Sequence, residues 1–189
     1  PDEYPLRRYR RIHREDPPVR IEEFNNMDAA SARAVVSAWA GIDAWVREVV
    51  EARPFASVAA LEGCAALLAE DWSRTELDAA LSQHLRIGDQ PEGDGPEAEA
   101  SRAEQASMSG AAVDVTSRIA LGNAAYEQRF GRVFLIRAAG RAPAELLSEL
   151  ERRLGNEAVA ETAEAIEQLT EITLLRLRGA VHDSSREGV

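Results

Sequence analysis

Only one stretch of this sequence, residues 131–140 (GRVFLIRAAG), has the apolar composition of a β-strand. A strand needs a partner, and no second run of this kind exists to complete a sheet. Elsewhere, apolar residues recur at the three- and four-residue spacing of helices, between residues that commonly cap them. The pattern predicts an all-α fold, a single-domain bundle of about seven or eight helices, with an extended connecting segment near 131–137.

Capping residues set the expected helix boundaries. Asp28 is a good N-cap ahead of an alanine-rich run, and Pro54 should end the following helical stretch near Arg53. A final helix is expected to end at about Arg178. The other predicted helices begin at capping or first-turn residues, namely Ser57, Thr75, Ser101, Pro143 and Asn156.

Three stretches have the composition of loops or tails. Residues 1–20 contain five arginines within eight residues and then two prolines, which favours a flexible arginine-rich N-terminal arm. Such an arm could bind an anion or a partner, or remain solvated. Residues 89–100 (DQPEGDGPEAEA) are typical of a flexible acidic loop. Residues 182–189 should form a flexible tail, so the helical domain is expected to span 21–181.

Charge and cysteine content exclude several classes of partner and site. The formal net charge is −11 and all 22 basic residues are arginine, so general attraction to nucleic acid or to an anionic membrane is not expected. The single cysteine, Cys64, excludes an intrachain disulfide and a cysteine-based metal cluster. No apolar run approaches the ~20 residues of a membrane span, and the first residues lack the apolar core of a signal peptide. We therefore expect a soluble, cytoplasmic protein without a metal.

Two short motifs contain candidate catalytic or binding groups. LSQHLRIGD, residues 81–89, places His84 at the end of an apolar stretch, where a histidine can be a satisfied core residue or a proton carrier in a pocket. SRAEQ, residues 101–105, provides a hydroxyl, a carboxylate and a primary amide on the first turn of a helix. That set could hold a ureide or a carboxamide, and it also has the order of a helix-capping box. The residues alone leave both pairs of alternatives open.

The last predicted helix has an arginine on its apolar side. Arg176 falls four residues after Ile172 and seven after Leu169, so it shares their core-facing stripe. Arg178 shares a face with glutamates and should point outward. Because a guanidinium cannot lose its charge, Arg176 must find anionic or carbonyl oxygens. These can belong to a bound anionic ligand or to a structural ion pair, or the side chain can extend to solvent at the edge of the bundle.

Several motifs occur together in an order and spacing that resemble one enzyme family. The family is that of the 2-oxo-4-hydroxy-4-carboxy-5-ureidoimidazoline (OHCU) decarboxylases of uric acid degradation, and the resemblance covers about residues 21–181. The motifs are FNNMD at 24–28, Trp45, ARPF at 52–55, HLRIG at 84–88, SRAEQ at 101–105, YEQRFGRVFLI at 126–136, LERRLGNE at 150–157 and EITLLRL at 171–177.

The resemblance implies an all-α enzyme, typically a homodimer, that uses no cofactor or metal and forms (S)-allantoin from a small-molecule ureidoimidazoline. It implies catalytic roles for His84 and Glu104. The residues that it implies for substrate binding are Ser101, Gln105, Arg176, Leu85, Phe130, Gly131, Phe134 and Ile136.

One of these residues departs from the family pattern. Leu85 stands where the family has proline after the histidine, so a flexible, bulkier side chain replaces a rigid ring near the substrate. Two alternatives follow: a divergent enzyme of the same fold that acts on a different oxo acid or ureide, and a non-enzymatic helical binding module that uses the arginine-rich arm. Convergence of His84, Glu104 and Arg176 on one cavity would favour an enzyme.

Overall fold

The computed structural model describes residues 18–82, 86–87 and 113–183. Within them the fold consists of eight helices and one small sheet, which confirms the predicted all-α class. The predicted acidic loop and the predicted helix start at Ser101 lie outside the described residues. In chain order the elements are β1 (Val19–Arg20), α1 (Ile21–Asn26), α2 (Ala29–Ser37), α3 (Asp43–Glu51), α4 (Val58–Ala69), α5 (Arg74–Leu81), α6 (Val113–Phe130), α7 (Pro143–Arg153), α8 (Ala158–Ala180) and β2 (Val181–His182).

Side-chain caps explain where several helices begin. The Asp28 carboxylate accepts hydrogen bonds from the backbone N–H groups of Ala30 and Ser31, both at 3.0 Å, so the cap predicted for α2 is present. Ser57 caps α4 in the same way.

Two predicted helix starts are shifted. Helix α5 begins one residue before Thr75, because Ser73 and Glu76 form a reciprocal capping box ahead of it. The N-cap of α8 is Glu157, since the Asn156 side chain donates to two glutamates of that helix instead, including Glu164 at 2.9 Å. Helix α5 is therefore capped by Ser73 and not by Thr75, whereas α8 begins without a side-chain cap.

The two ends of the described chain pair with each other. Strands β1 and β2 are parallel, with Val19 opposite Val181 and Arg20 opposite His182. The sequence assigns Val19, Arg20 and His182 to the arm and the tail, and predicts no sheet. Two-residue strands are too short to produce a periodic pattern, which is why the sequence does not indicate this pair.

Two apolar clusters form the core. The larger lies among α1 to α5 and α8 and contains the fully buried Trp39 and Trp45. The indole N–H of Trp45 donates to the carbonyl of Ala65 at 3.0 Å, which satisfies its polar atom inside the core. The smaller cluster joins α6 and α7, and there Gly122 allows close approach: an added Cβ would lie 2.6 Å from Leu150 Cδ2.

The segment 133–138 is extended and runs between the two clusters. Phe134 and Ile136 belong to the smaller cluster, whereas Leu135 belongs to the larger one. Side chains that alternate between two sides are typical of a β-strand. Here, however, side chains and not a neighbouring strand form hydrogen bonds with the backbone of the segment. The Leu135 carbonyl accepts from Arg153 at 2.7 Å, and the Arg137 N–H donates to a side-chain oxygen of Gln168 at 3.0 Å. The prediction of an extended connection near 131–137 is therefore confirmed.

Candidate functional site

A cleft of about 350 Å³ lies where α5 and α6 end and the extended segment begins. Gly131 turns the chain from α6 into that segment with a φ of +74°, a left-handed conformation that favours glycine. Its N–H donates to the carbonyl of Glu127 at 2.9 Å and closes the helix. The cleft is lined by Asp78, Leu81, Ser82, Glu127, Gly131, Arg132 and Val133.

Arg132 forms a buried cationic wall of the cleft. Its side chain is 3% exposed, and its Nε lies 3.0 Å from Asp78 Oδ1. Its Nη2 donates to the hydroxyl of Thr162 on α8 at 3.3 Å. Arg132 Nε, Arg132 Nη1 and Asp78 Oδ1 are buried and make no hydrogen bond among the residues that the structure describes, so the contact between Nε and Oδ1 is an ion pair only. The other Asp78 carboxylate oxygen pairs with Arg74 at 3.5 Å.

A second ion pair fixes the chain that follows α5. The Arg86 guanidinium donates to both carboxylate oxygens of Glu127, at 2.5 and 2.9 Å. The Asn123 side chain also donates to the carbonyl of Ile87 at 3.0 Å. Residues 86–87 are thereby held against α6. In sequence, His84 lies between Ser82, which lines the cleft, and Arg86, which binds the Glu127 carboxylate of the same cleft.

Glu127→Gln is expected to remove a pH-dependent part of the stability. Hydrogen bonding from Arg86 lowers the pKa of the Glu127 carboxyl. Because the folded pKa lies below the unfolded value of about 4.3, this ion pair stabilises the fold above that pH, and the contribution is lost as the pH falls through the folded pKa. At pH 7 the free energy of unfolding of the wild type should exceed that of the variant by about 0.5 kcal/mol, the usual contribution of a solvent-screened ion pair.

Urea denaturation at pH 7 and at about pH 3 measures this difference. The control is Glu51→Gln, which removes the charge of an exposed glutamate at the end of α3, outside this ion pair. A Glu127→Gln difference that persists unchanged in acid would contradict the assignment to the ion pair.

A buried polar network holds the middle of the extended segment. Arg153 on α7 and Glu161 on α8 are each 1% exposed, and Arg153 Nη2 lies 2.5 Å from a carboxylate oxygen of Glu161. The Tyr126 hydroxyl donates to Glu161, and burial together with this bond raises the Tyr126 pKa well above its ordinary value. Arg153 donates to the Leu135 carbonyl and lies over the ring of Phe134, 4.7 Å from its centroid. Three helices therefore fix this stretch of backbone.

Arg176 and Arg178 occupy the sides of α8 that their spacing predicts. Arg176 is half-buried, and its Nη1 donates to the carbonyl of Trp39 at 3.3 Å. Arg178 is exposed and pairs with Glu62 of α4 at 3.1 Å. Arg176 lies about 21 Å along α8 from Thr162, the residue that Arg132 contacts. The described residues therefore do not bring Arg176 to the lining of the cleft.

The other predicted site residues fall into two groups. Phe130, Phe134 and Ile136 are buried side by side in the smaller apolar cluster, and Gly131 lines the cleft. The second group lies outside the described residues, and its roles remain predictions: His84, Leu85, Ser101, Glu104 and Gln105.

Sequence reasoning missed Arg153 and Arg132. A signal for Arg153 was available, because it follows Leu150 by three residues and Leu146 by seven, which places it on the apolar stripe of α7. Arg132 gives no such signal, since it lies in a non-helical segment.

The described residues contain neither a membrane-spanning helix nor a metal-binding cluster of side chains. Across residues 18–82, 86–87 and 113–183, no helix is long and apolar enough to cross a membrane. In the same residues, no group of three or more histidine, cysteine, aspartate or glutamate side chains is placed to bind a metal ion.

Comparison with known proteins assigns the family. The sequence profile described as OHCU decarboxylase matches residues 25–178. The structure is similar to a crystal structure of OHCU decarboxylase in the presence of (S)-allantoin, with a TM-score of 0.64 and 24% identity over 75% of this chain and 92% of that one. It is also similar to a crystal structure of (S)-allantoin synthase, with a TM-score of 0.65 and 14% identity over 86% of this chain and 54% of that one.

No curated protein sequence matches the chain. Both structural likenesses are below 25% identity and therefore concern the fold, whereas the profile covers most of the sequence. The resemblance predicted from the motifs is confirmed: the chain belongs to the OHCU decarboxylase family.

Proposed function

We propose that the protein decarboxylates 2-oxo-4-hydroxy-4-carboxy-5-ureidoimidazoline to (S)-allantoin, without a cofactor, as a step in uric acid degradation. The observation that carries this proposal is the family match over residues 25–178, a span that includes every candidate catalytic and substrate-binding residue. The cleft supports it, because its lining residues approach His84 from both sides in sequence. Ser82 precedes His84 by two residues, and Glu127 binds Arg86, which follows His84 by two residues. A homodimer in the cytoplasm is part of the same proposal.

The substrate contains its own electron acceptor. Its carboxylate and hydroxyl share one ring carbon, and the neighbouring ring carbon belongs to a C=N bond. When the C–C bond to the carboxylate breaks, CO2 leaves and the electron pair moves toward that C=N group. The nitrogen of that group gains a proton, the hydroxyl loses its proton and becomes a carbonyl, and the neighbouring carbon gains a proton. The protein has to position the substrate and move protons, which side chains can do.

The candidate residues have distinct tasks in this scheme. His84 takes the proton from the hydroxyl or orients it, and Glu104 shares the proton transfer that fixes the S configuration on one face. Ser101 and Gln105 contact the substrate through their polar side chains. Arg176 pairs with an anionic oxygen of the substrate, which supplies local positive charge in a net-acidic protein.

Circular dichroism during turnover tests the proposal. The substrate is generated in situ from uric acid with a uricase and a hydroxyisourate hydrolase, because it decays spontaneously to racemic allantoin. A persistent (S)-allantoin signal that requires the protein supports the proposed reaction. A trace identical to spontaneous decay, with protein shown to be folded, contradicts it.

Leu85 motivates a second candidate function. A side chain that is bulkier than the family's proline favours an enzyme of the same fold with a different oxo acid or ureide as substrate. Leu85→Pro distinguishes the two cases: if the wild type is inactive on OHCU and the variant gains activity, the substrate has changed.

A further inference from the structure

Two side chains of α6 hold the chain two and three residues after His84. Glu127 accepts two hydrogen bonds from the Arg86 guanidinium, at 2.5 and 2.9 Å. One turn earlier on the helix, the Asn123 side chain donates to the carbonyl of Ile87 at 3.0 Å. Because Asn123 and Glu127 are four residues apart, they lie on the same face of α6. We call these two contacts the α6 anchor.

The α6 anchor contributes more to the position of the chain than to its stability. The Arg86 side chain is 51% exposed and that of Glu127 is 27% exposed, and solvent-screened ion pairs stabilise a fold only slightly. Their two parallel hydrogen bonds nevertheless fix the orientation of both groups. Asn123 is 3% exposed, and its partner Ile87 belongs to the smaller apolar cluster. A buried amide that binds one backbone carbonyl costs desolvation and specifies one path of the chain.

The chain that precedes His84 is also fixed. Helix α5 ends at Leu81, which is 1% exposed in the larger apolar cluster, and Asp78 of the same helix pairs with the buried Arg132. Four residues separate the end of α5 from Arg86. Since consecutive Cα atoms are ~3.8 Å apart, the Cα atom of His84 lies within about 8 Å of that of Arg86. A change in the position of Arg86 is therefore transmitted to His84.

We infer that Asn123 and Glu127 are positioning residues for His84, which they hold through the backbone of residues 86–87. The inference rests on the proposed function, since it takes His84 to be the acid–base group of the reaction. Catalytic groups have to be held within about 0.5 Å of their productive geometry, and a misplacement of about 1 Å can lower the rate about 100-fold. Contacts that add little stability can therefore have a large effect on turnover.

Charge reversal tests the ion pair of the α6 anchor. Arg86→Glu and Glu127→Arg each place two like charges together, whereas the double variant restores an ion pair with the charges exchanged. We expect each single change to lower kcat for OHCU decarboxylation by about 10- to 100-fold at a nearly constant KM, and the double variant to recover most of the loss. Asn123→Leu, which removes the donor to Ile87, should lower kcat in the same way. Initial rates are compared under conditions in which circular dichroism shows every variant to be folded.

The matched control is a second arginine–glutamate pair that involves α6. Arg118 lies 2.6 Å from Glu151 of α7, and its side chain is 55% exposed, close to the value for Arg86. Neither residue of this pair adjoins the chain around His84 in sequence. Arg118→Glu should therefore perturb a surface ion pair of the same kind and leave kcat unchanged.

A second readout does not require turnover. The chain has three histidines, so selective labelling of histidine gives few backbone amide signals in an NMR spectrum, and His84→Ala identifies that of His84. We expect the order parameter of the His84 amide to fall in Arg86→Glu and in Glu127→Arg and to recover in the double variant. The amide of His182 on β2 should keep its order parameter in all of these proteins.

The outcomes separate the inference from the proposed function. A kcat that is unchanged in the single variants, a loss that appears only in KM, or a loss that the double variant does not recover overturns the inference. A wild type that does not decarboxylate OHCU, but whose His84 order parameter follows the ion pair, overturns the proposed reaction and keeps the positioning role. Decarboxylation that is indifferent to the ion pair does the reverse.

Discussion

Arg153→Met is expected to lower the free energy of unfolding by about 3–5 kcal/mol, the range for removing one partner of a buried ion pair. Arg153 and Glu161 are each 1% exposed, so the variant leaves a carboxylate in the core without its counter-charge. The Leu135 carbonyl also loses its donor, and the ring of Phe134 loses the guanidinium above it. Domains of this size are typically stable by about 5–15 kcal/mol, so the loss is a large fraction of the total.

Urea denaturation of matched variants measures this loss. Arg152→Met is the control, because the neighbouring arginine is 48% exposed and pairs with surface glutamates; it should change stability by less than about 1 kcal/mol. Adding Glu161→Gln to Arg153→Met should recover part of the loss, since the remaining side chain is then neutral. If the single Arg153 and Arg152 variants are equally stable, the buried pair does not stabilise the fold as proposed.

His84→Ala is expected to lower kcat for OHCU decarboxylation by about 10²–10⁴-fold, the usual contribution of one acid–base group. The free energy of unfolding should change little, so the loss would be chemical. His182→Ala is the matched control, because His182 is exposed on β2, in the small sheet that β2 forms with β1. Initial rates of (S)-allantoin formation, corrected for spontaneous decay, give the comparison.

The partnership with Glu104 can be tested in the same assay. If His84 and Glu104 move one proton as a unit, Glu104→Gln should reduce kcat strongly, and the double variant should be only slightly worse than either single variant. Losses that multiply would indicate two independent roles. An active His84→Ala protein would remove the histidine from the mechanism.

For the extended segment, the sequence predicts the backbone conformation but not the residues that bind it. Phe134, Leu135 and Ile136 look like a strand in sequence because their side chains alternate between two apolar clusters. The absence of a second strand-like run correctly predicts that no sheet forms there. What replaces the sheet could not be predicted, since the donors and acceptors are side chains of α7 and α8, Arg153 and Gln168.

In the candidate site, too, the sequence predicts positions within one helix but not contacts between distant segments. The positions of Arg176 and Arg178 follow from the spacing within one helix, and the structure places them on the half-buried and exposed sides as predicted. The pairing of Asp78 with Arg132 joins an α5 side chain to a segment far along the chain. A pattern within one element contains no information about such a pair, so the cleft appears only with the fold.

The pairing of β1 with β2 has a consequence for the order in which the protein folds. Val19 and Val181 are 162 residues apart in sequence, so their contact closes a loop that contains nearly the whole domain. The entropy lost in closing such a loop is offset only after the helices between the two strands have packed. We therefore expect the strand pair to be absent from the folding transition state, so that its stability governs the unfolding rate and leaves the folding rate almost unchanged.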